Sequence, residues 1–222
     1  MCGRIALTLP PDMVTTLFDA VFDSPDNMEP RYNLCPTEQV LVAVSGEDGR
    51  HLVRKRWGLL PRWYKTPADG PLLINARAET IAAKPAFASS ARTRRCLVPA
   101  SGFYEWKKAD DGGRDPFYIH PAAGDAFAFA GIWRDWTGAD GTALSTVAIV
   151  TCAANEDMAH IHHRMPVVVQ PADFALWLGE AGHGAARLMV PAPVGTAMSY
   201  PVSRKVNKAG VESEDLLAPM GD

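Results

Sequence analysis

The 222-residue sequence contains no Cys-x-x-Cys pair, and its four cysteines, Cys2, Cys35, Cys96 and Cys152, stand far apart. That argues against a zinc knuckle or a disulfide framework and makes a reduced cytoplasm the expected compartment. No charged opening segment leads into an apolar one, so no secretory signal is expected. No apolar run approaches the ~18 residues of a membrane span, and no membrane partner is expected. Basic charge is not in excess either. The 22 Lys and Arg against 25 Asp and Glu leave a formal charge of −3, so contact with nucleic acid requires a local basic surface. Internal repeats and low-complexity linkers are also missing. The remaining profile, 47% hydrophobic and 21% charged, is that of an ordinary globular chain.

Strand-like runs outnumber helical ones. Residues 40–45 and 51–57 are β-rich and joined by Gly46-Glu47-Asp48-Gly49, a hairpin signal. Residues 95–98, 102–107, 116–120, 127–133, 146–151 and 165–170 read as further strands. Helices are expected at 11–22, 76–84, 155–160 and 171–178, the first opened by Pro-Pro-Asp. Residues 23–37 read as a loop, and the tail from Tyr200 as irregular. Turn residues around Trp63 and Tyr64 place those aromatics on a loop, either tucked under it or displayed. No βαβ alternation holds, so the expected fold is α+β, one domain over residues 1–222 around a mostly antiparallel sheet.

Three groups of residues suggest chemistry. Cys2 becomes the N-terminus if Met1 is cleaved, and then carries a thiol and a free α-amine on one residue. The amine condenses with an aldehyde to an imine, and the thiol closes onto the imine carbon as a five-membered thiazolidine. An α-amine, with a pKa of roughly 7.7–8.0, is partly unprotonated at neutral pH, unlike a lysine near ~10.4. Glu105, in Gly102-Phe103-Tyr104-Glu105-Trp106-Lys107, shares a strand face with Phe103 and Lys107. A carboxylate among aromatics suits general acid–base work, the alternative being a surface ion pair with Lys107 or Lys108. In His160-Ile161-His162-His163, His160 and His162 would share a strand face, yet apart from Glu156 and Asp157 on the preceding turn no nearby cysteine or acidic pair completes a metal site, and a single functional imidazole beside Arg164 is the simpler reading. Asn75, Arg77 and Glu79 alternate, and would share one side if extended. Asn can hold a substrate by donating and accepting hydrogen bonds, and Arg is suited to phosphate. The alternative is a helix-entry network with Glu79 paired to Arg77.

Taken together, Met1-Cys2-Gly3-Arg4, Arg31-Tyr32-Asn33-Leu34-Cys35-Pro36, Trp57-Gly58-Leu59-Leu60-Pro61, Ile74-Asn75-Ala76-Arg77-Ala78-Glu79-Thr80, Gly102-Phe103-Tyr104-Glu105-Trp106, Ile161-His162-His163-Arg164-Met165-Pro166 and Pro201-Val202-Ser203 resemble, in order and over nearly the whole chain, the SOS-response-associated peptidase (SRAP) family. The resemblance implies a DNA-damage protein that removes its own Met1 and links Cys2 to an abasic site in single-stranded DNA as a thiazolidine, shielding the lesion from strand cleavage. It maps the family's active-site positions onto Cys2, Asn75, Glu105 and His162, and its DNA contacts onto Arg4, Asn33, Trp63 and Arg77. Position 64 is Tyr where relatives can carry a second Trp. No cofactor and no metal are implied, and a monomer is expected. An N-terminal-nucleophile amidotransferase also begins Met-Cys-Gly, but its glutamine-site motifs are not visible. A non-catalytic single-stranded DNA binder is the third reading.

Overall fold

The β-rich runs and the turn residues between them build two sheets in the computed structural model, which describes residues 2–22, 28–109 and 112–221. In chain order the strands are β1 (Ile5–Leu7), β2 (Ala20–Val21), β3 (Arg31–Leu34), β4 (Gln39–Gly46), β5 (Gly49–Trp57), β6 (Asn75–Arg77), β7 (Arg95–Ala100), β8 (Gly102–Lys108), β9 (Arg114–Pro121), β10 (Phe127–Thr137), β11 (Ala143–Ala153), β12 (Arg164–Pro166) and β13 (Ala197–Pro201). The helices are short: α1 (Pro11–Phe18), α2 (Pro85–Thr93), α3 (Glu156–Ala159) and α4 (Phe174–Leu178). One sheet has the order β13-β9-β8-β1-β3. The other has the order β12-β11-β10-β7-β4-β5-β2, with β6 laid beside β11. Most pairs are antiparallel, while β2–β5, β11–β5 and β11–β6 run parallel. The α+β class with a mostly antiparallel core is therefore the fold.

Alternation along the strands sends apolar side chains between the sheets. Phe103 of the first sheet meets Phe127 and Phe129 of the second, with ring centroids 6.0 and 5.6 Å apart. Such aromatic pairs add about 0.5–1.5 kcal/mol each beyond the area they bury. Ile5, Trp57, Leu97, Phe129 and Ile149 belong to the same buried cluster.

Two features of this topology place the functional residues. The short strand β1 lies inside its sheet, between β8 and β3, with Ile5 opposite Phe103 and Ala6 opposite Gly102. Tyr104 N–H donates to the Arg4 carbonyl at 3.0 Å, which carries the antiparallel run back toward Cys2. The first residues of the chain therefore lie alongside Glu105. On the other sheet, the parallel pairing of β6 with β11 sets Asn75 opposite Ile149 and Arg77 opposite Thr151.

Several expected elements differ. The first helix stops at Phe18, because Asp19 takes a left-handed conformation (φ 47°) and its N–H caps the carbonyls of Thr15 and Thr16. Residues 31–34, expected in a loop, form β3 against β1; residues 23–27 of that loop lie outside the described residues. The expected helix at 76–84 is instead the strand β6 followed by turns. Parallel pairing to β11 overrides its helical composition, and the helix starts only at Pro85, whose fixed φ suits a first helical position. The strand expected at 165–170 is limited to β12, with an isolated bridge from Val168 to Phe129. Residues 171–178 split into a 3-10 turn, Pro171–Asp173, and α4. The tail is less irregular than expected, since β13 takes in Tyr200 and Pro201.

Candidate active site

Cys2, Asn75, Glu105 and His162 come from four separate parts of the chain and meet at one place. Cys2 is buried, with 1% of its surface exposed. The side-chain Nδ2 of Asn75 donates to the Cys2 backbone carbonyl at 2.8 Å. The Oδ1 of Asn75 is buried and accepts no hydrogen bond among the described residues, which leaves an acceptor directly beside the N-terminal segment. Burial pushes the Cys2 thiol up, and the nearby Glu105 charge pushes it further. The same carboxylate acts on His162. Burial holds that imidazole below its ordinary value, and Glu105 opposes the shift. One carboxylate thus lies within electrostatic reach of both the thiol and the ring.

Glu105 is itself buried, at 3% exposure, so the alternative of a surface ion pair with Lys107 or Lys108 does not apply. Its Oε1 accepts from the N–H of Trp106 at 3.2 Å. His162 is not on a strand. It lies in the turn between α3 and β12, and His160 directly follows α3, so the two do not share a strand face. The N–H of Arg164 donates to His162 Nδ1 at 3.0 Å. The Arg164 carbonyl lies 3.2 Å from the same nitrogen, so Nδ1 sits between a backbone donor and a backbone acceptor, and the ring is oriented whichever tautomer it holds. The His163 ring stacks on His162 at 4.3 Å. Among the described residues, no group of three or more His, Cys, Asp or Glu side chains could hold a metal ion.

The four residues mapped to DNA contact have different surroundings. Trp63 is displayed, with 58% exposed, whereas Tyr64 is tucked in at 8% and its hydroxyl reaches the Pro71 carbonyl at 3.4 Å. Arg77 is exposed at the end of β6. Arg4 is half-buried and braced: Nη1 donates to Asn33 Oδ1 at 2.8 Å and to the Val206 carbonyl, and Nη2 to the Asn207 carbonyl at 3.2 Å. Asn33 is fully buried, and its Nδ2 donates to the carbonyls of Lys208 and Val211, each at 3.1 Å. It buttresses Arg4 and the C-terminal tail.

Sequence reasoning missed three supports. Glu79 pairs with Arg164 through two bonds, of 2.6 and 3.0 Å, rather than with Arg77. Glu212 accepts from the N–H of Tyr32 at 2.7 Å and of Asn33 at 3.2 Å, and from Arg31 Nε at 2.9 Å. Asn207 Oδ1 accepts from the Trp106 indole at 2.7 Å. These partners lie 85 to 181 residues apart in sequence, and no local pattern announces them.

A buried cysteine in second place, held by an amide and set beside a carboxylate and an oriented imidazole, defines the class. The family model for SOS response associated peptidase (SRAP) matches residues 1–209, and the chain belongs to that family. Its relatives include the abasic site processing protein YoaM of Bacillus subtilis, 36% identical over 98% of this chain and 97% of that protein. The abasic site processing protein YedK of Escherichia coli is 32% identical over 99% of this chain and all of its own length. Among solved structures, a phage-related protein from Bordetella bronchiseptica superimposes with a TM-score of 0.70 at 31% identity, covering 91% of this chain and 95% of its own. A Bacteroides thetaiotaomicron protein reaches a TM-score of 0.87, covering 99% of this chain and 100% of its own; at 22% identity this likeness concerns the fold.

Proposed function

We propose that this protein recognises abasic sites in single-stranded DNA and joins them to Cys2 as a thiazolidine once Met1 has been removed. The relatives named as abasic site processing proteins support the substrate. The observation that carries the chemistry is the grip of Asn75 on the carbonyl of Cys2, with Glu105 acting on both the thiol and His162. Removal of Met1 hydrolyses the bond to the Cys2 nitrogen. The Cys2 carbonyl lies on the other side of the residue, so Asn75 keeps its hold while the amine is released.

The steps follow from these positions. The abasic sugar is largely a closed hemiacetal. His162, kept neutral by burial, acts in the tautomer that carries its proton on Nε2, donating to the ring oxygen and favouring the open aldehyde. The Cys2 amine adds to C1′, Glu105 moves the proton, and the carbinolamine loses water to give the imine. The thiol, protonated until then because burial and Glu105 disfavour its anion, adds across the C=N bond. Its sulfur bonds to C1′, and its proton passes by way of Glu105 to the nitrogen. Asn75 lowers the entropic barrier by fixing the residue that carries both nucleophiles. Ring closure competes with β-elimination from the imine, so slowing the thiol step exposes lyase activity. Arg77 and the braced Arg4 hold flanking phosphates, and Trp63 stacks on or beside a base. Binding is tolerant of sequence and sensitive to salt. The protein works as a monomer in the cytoplasm, at the nucleoid when on DNA.

Intact-mass measurement of the protein with a single-stranded abasic oligonucleotide tests this reading. The expected species lacks Met1 and gains the oligonucleotide mass less one water. Retention of Met1, or a mixture of unmodified protein and oligonucleotide, would overturn it.

A further inference from the structure

Arg134 is a charged side chain with 3% of its surface exposed and, among the described residues, neither an ion pair nor a side-chain hydrogen bond. No carboxylate balances its charge among the described residues, yet its guanidinium nitrogens are not among the sealed atoms that lack a partner, so the head group keeps a path to solvent and to a counter-ion. Its neighbours deepen the imbalance. On β10, Arg134 shares a face with Ile132 and Trp136. The Trp136 indole donates to the Tyr64 carbonyl at 3.0 Å, and the Leu60 N–H donates to Thr146 Oγ1 at 3.2 Å. Thr146 is paired with Arg134 across the hairpin. The loop that packs on this face therefore also carries Arg62 and the displayed Trp63. Asp135 points to the other face, where its two oxygens accept from Arg94 at 3.0 Å and Ser145 at 2.7 Å. Burial holds the Arg134 guanidinium below its ordinary value, and the positive charges of Arg62 and Arg94 add to the effect.

We infer that Arg134 and Arg62 form an anion subsite that takes a phosphodiester of the bound DNA strand beneath the Trp63 loop. The missing counter-charge is supplied by the ligand. The loop that carries Arg62 and the displayed Trp63 also packs over the face that carries Arg134, so a phosphate held there lies close to an exposed aromatic that a base can meet. The phosphate would be gripped while the base of an adjoining nucleotide meets Trp63. The DNA assignment rests on the proposed function; the anion site does not.

The test uses two variants, Arg134→Met, which keeps much of the volume and removes the charge, and Arg62→Ala, an exposed change that leaves the core intact. First, thermal melting is followed with inorganic phosphate against chloride at equal ionic strength. Wild type should be stabilised by phosphate, and both variants should lose most of that gain. Equal phosphate shifts in all three proteins would overturn the anion site. Second, binding of an undamaged thymidine oligonucleotide is measured across salt concentrations. The slope of log K against log salt should fall by about 1 in each variant. An unchanged slope beside a lost phosphate shift would overturn the DNA assignment and leave a free anion as the ligand. Failure of the covalent reaction in wild type, with both effects present, would count against the proposed function alone.

Discussion

Replacing Asn75 by Leu removes a single donor, Nδ2, from the carbonyl of Cys2 and keeps the side chain close to its original size. The bond is 2.8 Å long and links residues 73 apart in sequence. Leaving a buried carbonyl without its donor costs about 1–3 kcal/mol. If the amide acts by fixing the nucleophilic residue, that loss appears in the barrier to linkage, and each ~1.4 kcal/mol is tenfold in rate. The expected slowing is therefore about 5- to 150-fold. The assay is single-turnover linkage with protein in excess over a single-stranded abasic oligonucleotide, resolved on a denaturing gel. Far-UV circular dichroism and melting in parallel report the fold. Asn75→Asp should be worse than Leu, because it sets a carboxylate oxygen against the Cys2 carbonyl. A folded Asn75→Leu protein that links within twofold of the wild-type rate would refute the positioning argument.

Four other outcomes are expected. Cys2→Ala, with Met1 still removed, keeps the amine and loses the thiol; it should form a borohydride-trappable imine but no heat-stable adduct, both read by gel. Glu105→Gln should slow Met1 removal and linkage together, measured by mass and by gel, since one carboxylate serves both the thiol and the ring. Asn33→Ala should lower stability in urea by about 1–3 kcal/mol by leaving buried carbonyls unpaired, and weaken DNA binding through the loosened Arg4. The buried thiols predict alkaline lability. Burial raises Cys96 from 9.0 to about 12 and Cys152 from 9.0 to about 11. The unfolded chain therefore releases these protons first. The stabilising difference is intact below pH 9 and is lost as pH climbs toward the folded values, by about 1.4 kcal/mol per thiol per pH unit. Urea midpoints under reducing conditions should fall between pH 9 and 10 and fall less steeply in Cys96→Ala; a flat profile would contradict the burial argument.

The legible parts of the fold were those with local signals. The alternation at 40–57 and the Gly-Glu-Asp-Gly turn gave β4 and β5, and the apolar runs at 127–133 and 146–151 marked β10 and β11. Where a partner strand decides, local composition misled. Residues 76–84 have helical composition, yet 75–77 join β11 in parallel. Residues 31–34 sit in a Pro- and Asn-rich stretch, yet pair with β1. The site divides the same way. The aminothiol of Cys2 and the aromatic setting of Glu105 could be argued from neighbouring residues. The contact of Asn75 with Cys2, the Glu79–Arg164 pair and the burial of Asn33 depend on distant segments; alternation with Arg77 and Glu79 drew attention to Asn75 without naming its partner, and motif resemblance alone gave Asn33 a role. Of two adjacent aromatics, only the packing of Trp136 and Leu60 around the loop distinguishes displayed Trp63 from tucked Tyr64.

The position of β1 as an inner strand has a consequence for biosynthesis. Its partners in β8 begin at Gly102, so the residue made almost first cannot be seated until roughly half the polypeptide has been synthesised. During that interval the leading segment is open to any processing enzyme at the ribosome. After the sheet closes, Cys2 is buried and the segment that follows it is bonded to β8 beside Glu105. Delaying translation between these two stages would lengthen the time for which the leading segment stays open.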